Sequence, residues 1–448
     1  MKSTNESTDE SLKKAFLPAQ LALKYHPFYR GKIEIVPKCP IRSFDDFAIW
    51  YTPGVAEACN TIKNKPEEVY ENTNKWNTIA IVSDGSRVLG LGDIGPEAGL
   101  PVMEGKALLY KYLGGVDAFP ICLRTKDPQE IISAVKWIQP SFGGINLEDI
   151  AQPKCFEILD ALQGQLDIPV WHDDQQGTAT VVLAAFLNAI KLVGKKVSQV
   201  RVTMVGAGAA NVAFTRLLML AGAKPGNLLL TDSKGILHRQ RKDLEHGSPK
   251  KWALCQTTNS EGITGGLEEA LKGADACVAM AKPGPGVISR DMVSKMSSKS
   301  IVFACANPIP EIWPWEAKEA GAAVVATGRS DFPNQVNNSL GFPAIFRGTI
   351  DVRARTITDE MCLAAANELA TLAEERGLTD TNIIPTMDDW EVFPREATAV
   401  AMKAIEQGIA RIDRSRDEIY AGARAIIKRA REEAKTLMRS GFIQEFPT

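Results

Sequence analysis

Histidine is scarce in this chain. Its four copies, at positions 26, 172, 238 and 246, include no two close enough to make a local metal motif. Histidine-centred catalysis is not thereby excluded, but carboxylates, lysine and tyrosine become the better suspects. The eight cysteines (39, 59, 122, 155, 255, 277, 305 and 362) are scattered and form no Cys-x-x-Cys pair. Such spacing suits reduced, packed thiols in a cytosolic protein rather than a disulfide framework or a zinc site. No apolar stretch reaches the roughly 18 residues that a membrane helix needs. The polar N-terminus lacks the apolar core of a secretory signal, and its acidic Glu6, Asp9 and Glu10 argue against a transit peptide. An excess of either charge is also missing. With 52 basic and 54 acidic residues the net charge is −2, so neither nucleic acid nor an anionic membrane is favoured as a partner. Internal repeats and low-complexity tracts are absent.

What is present is an ordinary globular mixture, 45% hydrophobic and 24% charged over 448 residues, long enough for two or three domains. After about 45 residues of helix and irregular segment, the turn signal Tyr51-Thr52-Pro53-Gly54 appears. Buried strands are expected at 78–83, 116–123, 143–147 and 168–171, separated by helices at 105–113, 127–138 and 153–163. A long apolar helix from Thr178 to Val193 leads to Gly194-Lys195-Lys196, the best hinge candidate. Beyond it lies a second alternating unit, with strands at 200–205, 228–231, 275–280, 301–305 and 323–327, and a charged helical segment at 413–439. Strands alternating with helices indicate α/β domains with largely parallel sheets.

Gly206-Ala207-Gly208-Ala209-Ala210-Asn211 joins a strand to a helix, the context that a dinucleotide fingerprint requires. The first glycine permits the tight turn and the second lets backbone N–H groups approach a pyrophosphate at the helix N-terminus. The third position is Asn211 rather than Gly or Ala, so the match is partial. The next strand ends in Asp232, the acid expected to bind an adenosine ribose hydroxyl. A carboxylate there repels a 2′-phosphate and favours NAD, whereas Ser233 and Lys234 are able to bind that phosphate, so NAD and NADP both stay open.

Acidic pairs are the next signal. Glu148 and Asp149 follow one apolar strand, and Asp173 and Asp174 follow another. Strand C-termini of parallel sheets are where ligands bind, and carboxylates converging there suit Mg²⁺ or Mn²⁺. Taken singly, each has a plain alternative. Asp173 or Asp174 can cap the following helix, Asn307 and Asn338 can sit in ordinary turns, Lys106 can be an exposed lysine at a helix start, and Tyr51 can be a half-buried aromatic beside its turn.

The whole set in order changes that balance. Tyr51-Thr52-Pro53-Gly54-Val55, the stretch Ser83 to Asp93, Pro101-Val102-Met103-Glu104-Gly105-Lys106, Glu148-Asp149, His172 to Ala179, Asn307-Pro308 and Asn337 to Pro343 together make the chain resemble the malic enzymes, specifically their small prokaryotic-type branch, over nearly its full length. The resemblance implies an α/β substrate and metal domain over 1–175 and a Rossmann-type NAD(P) domain over 176–448 that includes the C-terminal helices. It implies oxidative decarboxylation of malate to pyruvate and CO₂ with reduction of NAD or NADP, in the presence of Mg²⁺ or Mn²⁺. Tyr51 is then the general acid, Lys106 the general base and Asp173 its support. Glu148, Asp149 and Asp174 are the metal ligands. Arg87, Asn307 and Asn338 hold malate. Gly206, Ala207, Gly208, Ala209 and Ala210 cradle the pyrophosphate, with Asp232, Ser233, Lys234 and Asn307 also on the cofactor. A lysine base requires a depressed pKa, which burial and a nearby cation supply. The rival readings are malolactic conversion of malate to lactate and a non-catalytic cofactor-binding regulator. A cytoplasmic homodimer or higher homo-oligomer is expected.

Overall fold

The computed structural model describes residues 17–88 and 90–447. The polar N-terminus up to residue 16, and Leu89 of the glycine-dense motif, lie outside the described residues.

Short β-branched and apolar runs form two parallel sheets. The first has the order β2-β1-β3-β4, from β1 (Thr78–Ser83), β2 (Asp117–Cys122), β3 (Gly144–Leu147) and β4 (Val170–His172). Every residue of β1, β3 and β4 is buried, as befits parallel strands covered on both faces. The second has the order β10-β9-β8-β5-β6-β7, from β5 (Val202–Val205), β6 (Leu228–Asp232), β7 (Gly235–Ile236), β8 (Ala276–Ala279), β9 (Ile301–Ala304) and β10 (Val324–Thr327). All its pairings are parallel except the β6–β7 edge ribbon. From β5 the chain moves outward to β6 on one side and to β8, β9 and β10 on the other. The order therefore reverses beside β5, and the crevice at such a reversal is where dinucleotides bind.

The helices that position the site are α1 (Pro96–Gly114), α2 (Thr178–Leu192), α3 (Ala209–Leu220), α4 (Phe342–Asp351), α5 (Asp359–Glu375), α6 (Val392–Glu406) and α7 (Arg416–Arg439). The first is longer than its sequence pattern suggests. Pro96 occupies the start, where its missing N–H costs nothing, and Gly115 at φ 63° ends the helix. Pro101 lies inside it. Lys106 is consequently a buried, mid-helix residue rather than an exposed one at a helix start. Helix α2 is apolar nearly all round because neighbours surround it. Phe186 packs edge-on against Phe214 at 5.6 Å and Phe303 at 6.1 Å. The following Lys195 is tied to Asp275 at 2.6 Å and Ser297 at 2.8 Å, which anchors the expected hinge to the second sheet's side.

The C-terminal helices come last in sequence but lie against the first unit. Tyr110 on α1 has ring centroids at 4.6 Å from Phe342 and 5.4 Å from Phe346, and Phe346 stands edge-on to Trp171 of β4 at 6.4 Å. Leu113, Ala344, Phe393, Ala423 and Ile427 form a cluster joining α1, α4, α6 and α7.

Candidate active site

The strand register places the acids side by side. Val82 pairs with Leu147, and Leu147 with His172, so the residues just beyond β1, β3 and β4 emerge along one edge. Adjacent strands are about 4.8 Å apart. Glu148, Asp149 and Asp174 each bring a carboxylate oxygen within 4.8 Å of the others. Asp149 stands at φ 53°, a left-handed conformation uncommon for a residue with a side chain. Its N–H donates to Asp174 Oδ2 at 3.0 Å, and its carbonyl accepts from Arg87 N–H at 2.9 Å. The Arg87 charge also acts on Asp174. A cluster of three hard oxygen donors suits Mg²⁺ or Mn²⁺, and these residues fit such an ion on the chemistry of the donor set.

Asp173 and Asp174 lie in a π-helical turn, Asp173–Gly177, that widens the entry to α2. Such turns gather at functional sites. Asp173 points inward and is fully buried, whereas the Asp174 side chain is 34% exposed. A Cβ at Gly177 would fall 1.9 Å from Asp173 Oδ1, so only glycine leaves that carboxylate its place. Capping of α2 is not the function of either acid, since the helix shows no side-chain cap bond.

Lys106 reaches into the same edge from α1. Its ammonium donates to Glu148 Oε1 and to Asp173 Oδ2, both at 2.5 Å, and lies 4.5 Å from the centre of the Phe342 ring. A chain of polar groups holds the pair. Tyr110 O–H donates to Asn146 Oδ1 at 2.8 Å, Asn146 Nδ2 donates to Glu148 Oε2 at 2.8 Å, and Trp171 Nε1 donates to Asp173 Oδ1 at 3.2 Å. Asn338 from the second half of the chain donates its side-chain N–H to Asp173 Oδ2. Burial disfavours the Lys106 charge, but Asp173 and then Glu148 outweigh it and raise the pKa. Against the depression expected of a base, two carboxylates face this lysine and their charges outweigh its burial. Burial pushes Glu148 up, opposed by Lys106 and reinforced by Asp173, Asp174 and Asp149. His172 is fully buried, and burial lowers it to about 3, so it stays neutral beside these acids.

Asp84 anchors the loop that carries Arg87. It accepts from Ser86 N–H at 3.0 Å and Ser86 Oγ at 2.6 Å and is paired with Lys154. Asn307 lies exposed after β9, and a Cβ at Gly90 would come within 2.9 Å of its carbonyl oxygen. The loop bearing Arg87 thus closes on the second sheet's loops. Glu311, fully buried, accepts Ala281 N–H at 2.9 Å and Ala306 N–H at 3.1 Å, joining the loops after β8 and β9.

At the dinucleotide turn, Gly206 adopts φ 92° and a Cβ there would lie 2.9 Å from Ala281 Cβ. Asn211, the departure from the fingerprint, is fully buried and donates to Val205 O at 2.9 Å and Gly206 O at 2.7 Å, which ties the turn to its own strand. Asp232 ends β6 as expected, but its carboxylate is held by Arg241, a residue that no motif singled out.

Tyr51 stands apart. It is 72% exposed at the end of the short helix Asp46–Trp50, and its hydroxyl makes no hydrogen bond among the described residues. Within one copy of the chain it is not joined to the Lys106 cluster. Sequence reasoning missed Tyr110, Asn146, Trp171, Lys154 and Arg241. Only Tyr110 carried a signal, its i+4 spacing from Lys106 on a helix face.

Two parallel-sheet units, one with a dinucleotide turn and one with a lysine–carboxylate cluster, define a metal-assisted enzyme of the dinucleotide-linked class. Comparison with known proteins narrows the class. A sequence model described as malic enzyme, N-terminal domain, matches residues 30–163, and one described as malic enzyme, NAD binding domain, matches residues 175–407. The chain belongs to the malic enzyme family. It is 50% identical to the NAD-dependent malic enzyme of Geobacillus stearothermophilus over 383 residues, covering 86% of this chain and 78% of that protein. It is 46% identical to the bifunctional malic/malolactic enzyme of Bacillus subtilis, covering 89% and 96%. It is 42% identical to the NADP-dependent malic enzyme of Halomonas elongata, covering 88% and 94%. Among solved structures, Entamoeba histolytica malic enzyme superposes with a TM-score of 0.95 at 49% identity, covering 99% of this chain and 92% of that one.

Proposed function

We propose that this protein oxidatively decarboxylates malate to pyruvate and CO₂, reducing NAD or NADP, with Lys106 as general base, Asp173 as its support and Tyr51 as general acid. The observation that carries the reading is the buried Lys106 ammonium held by Glu148 and Asp173 beside three carboxylates converging at one sheet edge. Glu148, Asp149 and Asp174 would hold a divalent ion, which supplies Lewis-acid polarisation of the substrate's C2 oxygen. Arg87, Asn307 and Asn338 are assigned to malate, and the turn from Gly206 to Ala210 to the cofactor pyrophosphate.

Lys106 as it stands is protonated and must give up a proton before it can take one from the malate hydroxyl. Asp173, at hydrogen-bond distance and buried, is the acceptor at hand. With the hydroxyl proton on Lys106 and the C2 hydride on the nicotinamide, the product is a β-keto acid. It loses CO₂, and Tyr51 protonates C3 of the resulting enol. A malate assay with Mn²⁺ and each cofactor tests this by measuring reduced cofactor, CO₂ and keto acid together. Lactate without net reduced cofactor would establish the malolactic reaction instead, and no turnover would leave a binding protein.

For Tyr51 the expected result is that Tyr51→Phe slows hydrogen exchange at C3 of pyruvate in deuterated water, and malate turnover with it, while affinities for malate and cofactor stay near normal. Unchanged exchange and turnover would return Tyr51 to a surface aromatic.

Tyr51 lies in a stretch rich in exposed apolar side chains, including Leu23, Ile35, Phe44, Phe47, Ile49 and Trp50. Large exposed apolar surfaces mark association sites, and the reading includes a cytoplasmic homodimer or higher homo-oligomer that covers this stretch. Phe44→Glu together with Ile49→Glu is expected to shift the sedimentation coefficient toward that of a single chain.

A further inference from the structure

The acid at the end of β6 is not free. Asp232 Oδ1 accepts Arg241 Nη1 at 3.0 Å and the Lys234 N–H at 2.9 Å, and Oδ2 accepts Arg241 Nη2 at 2.8 Å. This is the two-pronged guanidinium–carboxylate geometry, stronger and more directional than a single bond. The same guanidinium donates from Nε to Asp243 Oδ1 at 2.9 Å and from Nη2 to Asp243 Oδ2 at 3.1 Å. Lys234 Nζ lies 3.0 Å from Asp243 Oδ2, and the Lys251 charge also acts on Asp232. Arg241 is only 9% exposed and held from two sides, whereas Lys234 is mostly solvent-exposed.

The consequence concerns the adenosine ribose. A bare carboxylate at this position accepts the 2′-hydroxyl of NAD and repels a 2′-phosphate. Here a fixed guanidinium offsets that repulsion, and three cations face two carboxylates around the same spot. Asp232 and Asp243 together engage four of the five guanidinium N–H groups, so a phosphate meets the one N–H left on Nη1 and a positive charge already fixed in place. Resting on the dinucleotide reading of Gly206 to Ala210, we propose that Arg241 is the specificity-determining residue at the 2′ end of the cofactor. It steadies Asp232 as acceptor for the 2′-hydroxyl of NAD and offers its remaining Nη1 N–H and its charge to the 2′-phosphate of NADP, so that one pocket admits both. Lys234 adds a second, weaker charge.

The test uses two probes that differ only by the phosphate, 5′-AMP and 2′,5′-ADP, titrated calorimetrically into the full-length protein. The native protein is expected to bind both within about tenfold of each other. In Arg241→Gln the affinity for 2′,5′-ADP should fall about 10- to 100-fold relative to that for 5′-AMP, the range of one lost charge-assisted bond. Arg241→Lys should restore part of the loss, since it returns the charge without the fork, and Lys234→Ala should cost less than Arg241→Gln. The ratio of kcat/KM for NADP to that for NAD should follow the same order. An equal fall for both probes in Arg241→Gln would show a purely structural clamp and overturn the proposal. So would a native protein that rejects 2′,5′-ADP by 100-fold or more, because Asp232 would then govern alone. Failure of the native protein to bind 5′-AMP, NAD or NADP at all would instead sink the dinucleotide reading beneath it.

Discussion

Lys106→Ala is expected to depress malate oxidation by about 10²–10⁴-fold, the usual cost of losing a general base. The same change removes the cation between two buried acids. Leaving Asp173 and Glu148 without it costs roughly 3–5 kcal/mol, so the variant should melt at a lower temperature. Each orphaned acid then has a folded pKa raised above its unfolded value. Such a group favours the folded state below its unfolded pKa, and that contribution is lost as pH rises through the folded pKa. The melting deficit of Lys106→Ala relative to the native protein should therefore narrow on acidification. Lys106→Arg separates the two effects, because arginine keeps the charge but does not deprotonate in proteins. It should restore stability more than activity. Normal malate oxidation in Lys106→Arg or Lys106→Ala would remove Lys106 from the chemistry, whatever the melting curves show. Oxaloacetate supplied in place of malate bypasses hydride transfer and asks whether decarboxylation survives in the same variants.

The second large effect is at the carboxylate trio. Asp174→Ala should abolish most Mn²⁺ binding and nearly all turnover while leaving the fold intact. Its side chain is partly exposed, and the described bond it gives up is the one from Asp149 N–H. A loss of about 1 kcal/mol is the scale for such a bond, small against the loss of one of the three carboxylates proposed to hold the ion. Titration calorimetry with Mn²⁺ alone reads the binding directly, and thermal melts in Mn²⁺ should show less ligand stabilisation than in the native protein. Undiminished Mn²⁺ binding by Asp174→Ala, or full native activity in excess chelator, would defeat the metal assignment.

Much of this architecture is legible in the sequence because buried parallel strands are written as short, continuous apolar runs. The run at 78–83 is β1 residue for residue, and the expected strands at 228–231 and 301–305 differ from β6 and β9 by one residue at an end. Gly206 announces its turn because few residues adopt its positive φ, and Asp232 follows at the distance one strand and one helix require. The missing first turns of α1 have an equally local cause. Pro96, Gly99 and Pro101 read as breakers, although Pro96 stands in the opening turn, where a proline is tolerated, and Pro101 alone interrupts the helix interior.

By itself the sequence determined the two alternating units, the dinucleotide turn and the pairs of acids at strand ends, since each depends on neighbours a few positions away. Tertiary structure alone decided which charges meet. Lys106, Glu148, Asp173 and Asn338 are joined across 42, 67 and 165 positions of chain, and no local periodicity encodes such closures. That convergence sets which charges act on Lys106, because a buried ammonium responds to the groups that face it and not to those beside it in sequence. It likewise placed Arg241 on Asp232, and it left Tyr51 in solvent on a single chain.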